Sequence, residues 1–144
     1  MSRRDRMGDA EEVFEILVTS YAQRGGAVPA HADLCWRPAT DAYETESTFV
    51  VQMDLAGMDP TQIEVMADEH SLLVRGIRQD TSVPGKKHFH EMEISVGPFA
   101  RRVSLNVPVD PGSARAVYRN GFLYVTFQKG RGQVADGRQI AIDG

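Results

Sequence analysis

ARAVYRNGFLYVTF, residues 114–127, reads as two strands and the turn between them. Asn120-Gly121 is a dipeptide that tolerates the left-handed backbone of a two-residue hairpin turn, and alternating apolar residues flank it. Beyond the turn, Leu123, Val125 and Phe127 recur at every second position, which puts all three on one inward face. The same period extends upstream. Phe99, Arg101, Val103 and Leu105 alternate until Pro108 and Pro111-Gly112 end that strand. Further back, Leu72 to Ile77 follows a turn at Asp68-Glu69-His70, and Ile63 with Val65 begins the strand before that. Phe49, Val51, Met53 and Leu55 alternate with Thr48, Val50, Gln52 and Asp54, and Gly57 with Pro60 closes the run. Many short strands between turn signals, with no helical period from 36 to 129, predict an all-β antiparallel sandwich. Such a sandwich leaves edge strands that need covering.

The two flanks follow other rules. In residues 1–35, Val13, Phe14, Leu17, Val18 and Tyr21 recur at helical spacing, which predicts a short amphipathic helix over Glu11–Tyr21. Gly25-Gly26 and Pro29 break it before the sandwich begins at Trp36. So short a helix is marginal alone, and its apolar stripe needs a partner. Residues 130–139 are glycine-rich and largely polar, and Ile140-Ala141-Ile142 follows them. In an extended tail, Ile140 and Ile142 point the same way and form a paired knob suited to the sheet edge of a neighbouring copy. The expected organisation is an arm at 1–35, a sandwich at 36–129 and an extended tail at 130–144.

Composition narrows the function classes. A chain of 144 residues with 42% hydrophobic and 25% charged residues accommodates one domain with extensions. The net charge of -4, with basic residues scattered in pairs such as Lys86-Lys87, argues against a nucleic-acid partner. Cys35 is the single cysteine, so no internal disulfide staples the domain and a reducing compartment is expected. The opening Met1–Arg6 and the short apolar run Ile16-Leu17-Val18 suit neither an export signal nor a membrane span, and the expected location is cytoplasmic.

Several segments, in order, resemble the small heat-shock proteins, the Hsp20 or alpha-crystallin family. Ala116–Leu123 resembles the family's A-x-x-x-N-G-V-L signature, and Trp36-Arg37-Pro38 with Asp41 resembles its opening. Asp54-Leu55-Ala56-Gly57 stands for the D-L-P-G turn, Gly97–Arg102 for the G-x-F-x-R-R strand, and Ile140-Ala141-Ile142 for the I-x-I tail. Departures are Phe122 for valine, Ala56 and Asn106 for prolines, and Gln128-Lys129 for Pro-Lys. None removes a turn glycine or breaks the strand alternation.

The resemblance implies an immunoglobulin-like sandwich, the alpha-crystallin domain, and an ATP-independent holdase that binds partly unfolded proteins under stress and prevents their aggregation. It implies no cofactor, and no phosphate-binding G-x-x-x-x-G-K-[ST] loop occurs in the sequence. It implies a homodimer that assembles into larger homo-oligomers. The dimer would form through the Gln79–Gly97 connection, whose strand-like part His88-Phe89-His90-Glu91-Met92 pairs with the partner's strand near Asp41 to Glu44, and through Arg101 paired with a carboxylate. The tail would dock in a groove on Ile63 to Ala67 and Ala114 to Tyr118, for which Ile63, Val65, Val117 and Leu123 are candidates. All four could equally point into the core, since a shift of one residue flips a strand's faces. The client-binding arm would be Val13, Phe14, Leu17, Val18 and Tyr21.

Two other readings compete. His88-x-His90 with Glu91 and Glu93 offers a metal-like spacing similar to the cupin motif, but Gly97 falls too close and no second histidine cluster follows. The chain could instead be a monomeric co-chaperone of the p23-like class, which would lack the I-x-I tail. Hydrolase chemistry is not expected, because Ser71, Ser82, Ser95 and Ser104 lack the G-x-S-x-G context and Cys35 has no base beside it. Neither a catalytic residue nor a bound metal is expected.

Overall fold

The structure, a computed structural model, describes residues 12–20 and 36–130. Among these, nine strands form two packed sheets: β1 Val13–Ile16, β2 Val18–Ser20, β3 Thr40–Glu44, β4 Thr48–Asp54, β5 Ile63–Ala67, β6 Ser71–Arg78, β7 Gly97–Ser104, β8 Val109–Arg119 and β9 Phe122–Lys129. One sheet has the order β1-β8-β9-β4-β3 and the other β2-β5-β6-β7. A 3-10 turn at Pro60–Gln62 leads into β5, with Asp59 capping it through a bond from the Thr61 amide.

Alternation builds the core. Phe49, Val51 and Met53 on β4 face Leu123, Val125 and Phe127 on β9, and Val65, Leu72, Val74 and Phe99 close the layer from the other sheet. The inward positions of β4 and β9 expected from the period of two are buried, while Val50, Met66 and Leu73 are buried as well on the opposite faces of their strands. The β8–β9 hairpin turns at Asn120 (φ 54°) and Gly121 (φ 84°), both in the left-handed region that a two-residue turn of this kind uses. Leu55 donates its amide to the Gly121 carbonyl at 2.9 Å, so the hairpin turn seats on the turn after β4. A Cβ added at Gly121 would lie 3.3 Å from the Cα of Ala56.

Tyr118 joins these turns from inside. Its buried hydroxyl donates to the Leu55 carbonyl at 2.8 Å and accepts from the Met58 amide at 3.1 Å. Both polar groups lie where water does not reach, and one phenol satisfies them.

Two expectations require correction. The Glu11–Tyr21 helix is not formed where the segment is described: Val13–Ile16 and Val18–Ser20 are strands. The physical reason is an available pair of sheet edges. β1 pairs antiparallel with β8, from Val13 opposite Arg119 to Ile16 opposite Ala116, and β2 pairs parallel with β5, from Val18 opposite Val65 to Ser20 opposite Ala67. Valine and isoleucine lose little in an extended backbone, and the backbone groups of β5 and β8 gain partners they would otherwise lack. The sandwich is also not wholly antiparallel, since β2–β5 and the isolated Trp36–Phe99 bridge run parallel.

Candidate functional site

The strands set out three surfaces rather than one pocket. The first is the side of the sandwich where β5 and β8 end their sheets, and the Val13–Ser20 segment lies across it. Ile16 and Val18 pack against the core while Leu17, between them, is 82% exposed. Thr19 adds a hydroxyl bond to the Val65 carbonyl at 3.3 Å. Of the residues considered for a tail groove, Ile63, Val65 and Leu123 are buried in the core, and Val117 is half-buried on the opposite face of β8 from Ala116 and Tyr118. Ile140, Ile142 and Tyr21 lie outside the described residues. Val13 and Phe14 are exposed, so strand geometry divides the apolar stripe that a helix would have kept together.

The second surface is the connection 79–96 between β6 and β7. Its stem is held by Arg78, whose Nε donates to the Ser95 carbonyl at 2.9 Å and whose Nη1 donates to the Ala56 carbonyl at 3.1 Å. The same guanidinium lies 4.2 Å from the centroid of the Trp36 ring, which in turn packs on Phe99 and donates Nε1–H to the Gly97 carbonyl at 3.0 Å. Above this stem the connection has no regular structure, and His88, Phe89, His90, Glu91 and Met92 are all exposed. Val83, Met92 and Ile94 are among its large apolar side chains left in solvent. Phe89, Met92, Ile94 and Val96 overhang a cavity of about 530 Å³ against the β4 turn. Among the described residues no group of three or more metal-ligating side chains forms, and His88 and His90 both face solvent.

The third surface is the far edge, β3. Asp41 and Glu44 are exposed there, and Glu44 Oε1 accepts from Lys129 Nζ at 2.8 Å. Among the described residues, β3 has no strand neighbour in its sheet beyond β4. Near the start of β3, Arg101 Nη1 donates to the Pro38 carbonyl at 2.9 Å, while its buried Nε has no hydrogen-bond partner among the described residues. Burial and then the nearby Arg37 push the Arg101 guanidinium below its usual range. The periodicity did not single out Arg78, Trp36 or Tyr118 as a set. Their partners are backbone carbonyls and amides, which carry no side-chain signature.

The two-sheet β-sandwich is that of solved small heat shock proteins, the alpha-crystallin class. A family model described as Hsp20/alpha crystallin family matches residues 41–143. The chain belongs to that family, whose members, the small heat shock proteins, are chaperones. It is similar to small heat shock protein C2 of Rickettsia felis, 30% identical over 92 residues, a match covering 64% of this chain and 60% of that protein. It is also similar to the 16.9 kDa class I heat shock protein 3 of Oryza sativa subsp. japonica, 29% identical over 92% of this chain and 85% of that one. Among solved structures, hspA of Xanthomonas axonopodis matches with 37% identity and a TM-score of 0.60, covering 66% of this chain and 95% of that chain. A small heat-shock protein of Xylella fastidiosa, reported with a distinct high order structure, matches with 34% identity and a TM-score of 0.58 over 65% of this chain and 86% of that chain. Among the described residues no helix is long and apolar enough to cross a membrane.

Proposed function

We propose that this protein is an ATP-independent holdase of the cytoplasm, which binds partly unfolded proteins under stress and keeps them from aggregating. The observation that carries the reading is exposed apolar surface on a well-packed sandwich: Phe14 on β1, and Leu17, Phe89, Met92 and Ile94 on segments that join strands, stand in solvent. A folded protein gains nothing by holding such groups in water, whereas an unfolding client offers apolar surface to cover them. Neither contact needs a shaped pocket or a nucleotide.

The working unit in this reading is a homodimer that assembles into larger homo-oligomers. Support comes from three places. The open β3 edge can accept His88–Met92 from a second copy as an added strand. The unmatched Arg101 Nε and the depressed guanidinium favour an acceptor supplied by a partner, a carboxylate above all. Ile140 and Ile142 have the spacing to dock as a strand beside β5 and β8 of a neighbour. The domain division follows, with an arm at 1–35, the sandwich at 36–129 and the tail at 130–144.

The test is light scattering of a heat-denatured client without nucleotide, alongside native mass spectrometry. Full-length protein is expected to suppress scattering and to run as an oligomer. Protein lacking residues 1–24 is expected to suppress less while remaining folded, its far-UV spectrum losing only the contribution of β1 and β2. A chain that stays monomeric and leaves client aggregation at its unassisted rate ends the reading.

A further inference from the structure

Val13–Ser20 does what a docked tail is expected to do. It lies along β8 through Val13–Ile16 and along β5 through Val18–Ser20, so one short segment covers one edge of each sheet. Its two inward side chains, Ile16 and Val18, are two residues apart and pack on the core, with Leu17 between them turned to solvent. Ile140-Ala141-Ile142 repeats that arrangement: two β-branched apolar residues separated by one. Both triplets, when extended, present a pair of knobs on one face.

We propose that Val13–Ser20 is a built-in plug that occupies the β5/β8 groove and competes there with the Ile140/Ile142 tail of another copy of this chain. The proposal rests on the reading above that the tail docks in this groove. Two strands cannot share the groove. The β5 amides and carbonyls that face outward from the sheet pair with Val18–Ser20, and a tail strand needs the same groups. The space under Ile16 and Val18 holds one pair of knobs.

The plug is built to leave. Ile16 and Val18 are only half-buried, whereas the core side chains Val65 and Leu123 are fully buried. β2 is a strand of three residues, and Val13 (52%) and Phe14 (41%) remain exposed although β1 is paired. An open surface groove of about 390 Å³ lies beside the segment, lined by Phe14, Ile16, Leu17, Pro60 and Ile63 among others, so one flank of the plug meets solvent. Because the plug is attached to the sandwich it meets the groove at high effective concentration, and a tail from a neighbour must displace it.

Displacement couples two events. With the plug in, the β5/β8 side is closed to other chains and Ile16 and Val18 are withheld from solvent. With a neighbour's tail in, Val13, Phe14, Ile16, Leu17 and Val18 are released together as an apolar arm. Assembly through the tail therefore exposes client-binding surface, and the arm's return favours smaller species. By linkage the coupling runs both ways, since a client that holds the arm raises the groove's affinity for the tail.

The experiment uses the full chain with Ile140→Ser and Ile142→Ser, so that its own tail does not compete, and a fluorescent peptide of residues 134–144 as the probe. Peptide affinity is read by anisotropy in this background and with Ile16→Ser and Val18→Ser added. If the plug is docked about nine-tenths of the time, weakening it raises the apparent affinity roughly tenfold. Equal affinity in the two backgrounds overturns the proposal and leaves tail docking standing. Binding to neither overturns tail docking, and the competition with it.

A second arm avoids dependence on loosened packing. Glu15 and Val117 stand opposite each other on β1 and β8, on the outward face. Glu15→Cys with Val117→Cys, in a Cys35→Ser background, locks the plug when oxidised. The locked protein is expected to lose peptide binding and to regain it on reduction. Undiminished binding to the oxidised protein, with the cross-link confirmed by mass, overturns the competition.

Discussion

Arg101 Nη1 donates to the carbonyl oxygen of Pro38 at 2.9 Å, tying the middle of β7 to the chain just before β3. That bond uses one of the five N–H groups of the guanidinium, and the buried Nε is left unmatched. A buried cationic donor without an acceptor is costly, and the proposed dimer would relieve that cost by supplying one.

Arg101→Ala is therefore expected to weaken the dimer more than the monomer. A loss on the order of 2 kcal/mol, about thirtyfold in Kd, is the scale for truncating a desolvated hydrogen-bonded charge at an interface. Arg101→Lys should recover little, because an ammonium cannot reach two acceptors as a planar fork does. Sedimentation over a dilution series measures both variants, and a dimer Kd equal to wild type would return Arg101 to a purely intrachain role.

Tyr118→Phe removes the hydroxyl that donates to the Leu55 carbonyl and accepts from the Met58 amide, leaving these two groups only their longer 3.3 Å bond to each other. Losing a buried hydrogen bond costs about 0.5 to 1.5 kcal/mol, and the ring itself still fits. The urea midpoint should fall with an unchanged m-value. A midpoint within error of wild type would mean that water reaches the Leu55 turn.

Gly76→Ala introduces a methyl group 2.6 Å from the Gln62 carbonyl oxygen, with Met58 and Phe99 each 3.3 Å away. The oxygen belongs to backbone opposite β6 and has no rotamer by which to retreat, so overpacking of about 1 to 3 kcal/mol is expected. Gly112→Ala is the matched control, since its nearest neighbour is the Asp110 carboxylate at 3.4 Å. Thermal melts of the two variants should separate clearly, and equal melting temperatures would defeat the close-approach argument.

Arg78→Ala cuts the stem of the 79–96 connection by removing the bonds to Ser95 and Ala56 and the contact with Trp36. These contacts are solvent-accessible, so global stability should change by less than about 1 kcal/mol. Hydrogen exchange at residues 94–97 should rise while β4 and β9 keep their protection. If exchange at the stem does not change, Arg78 does not hold it.

Most of the sandwich was legible in the sequence because strand faces and turns are decided by near neighbours. Phe49, Val51 and Met53, or Leu123, Val125 and Phe127, alternate whatever surrounds them, and Asn120-Gly121 turns the chain through its own backbone preference. The candidate surfaces were legible only in part. Arg101 was visible as a strand charge, but its bond to Pro38 spans positions far apart in sequence. The Arg78–Trp36 stem and the Tyr118 bridge are long-range contacts with backbone atoms or ring faces, and no spacing rule reports them.

Sequence alone settled the inward faces of β4 and of the Val125–Phe127 end of β9, the hairpin at Asn120-Gly121 and the order of family-like segments, because period and turn chemistry act over a few residues, whereas which way Ile63, Val65, Val117 and Leu123 point was left to the structure. Only the tertiary structure decided the fate of Val13–Ser20. Its apolar residues satisfy a helical stripe at 13, 14, 17 and 18 and a strand face at 16 and 18 equally well. A short helix standing alone gains little, whereas the open edges of β5 and β8 supply backbone partners and a place for Ile16 and Val18. The choice lay in the surroundings of the segment, which its own letters do not contain.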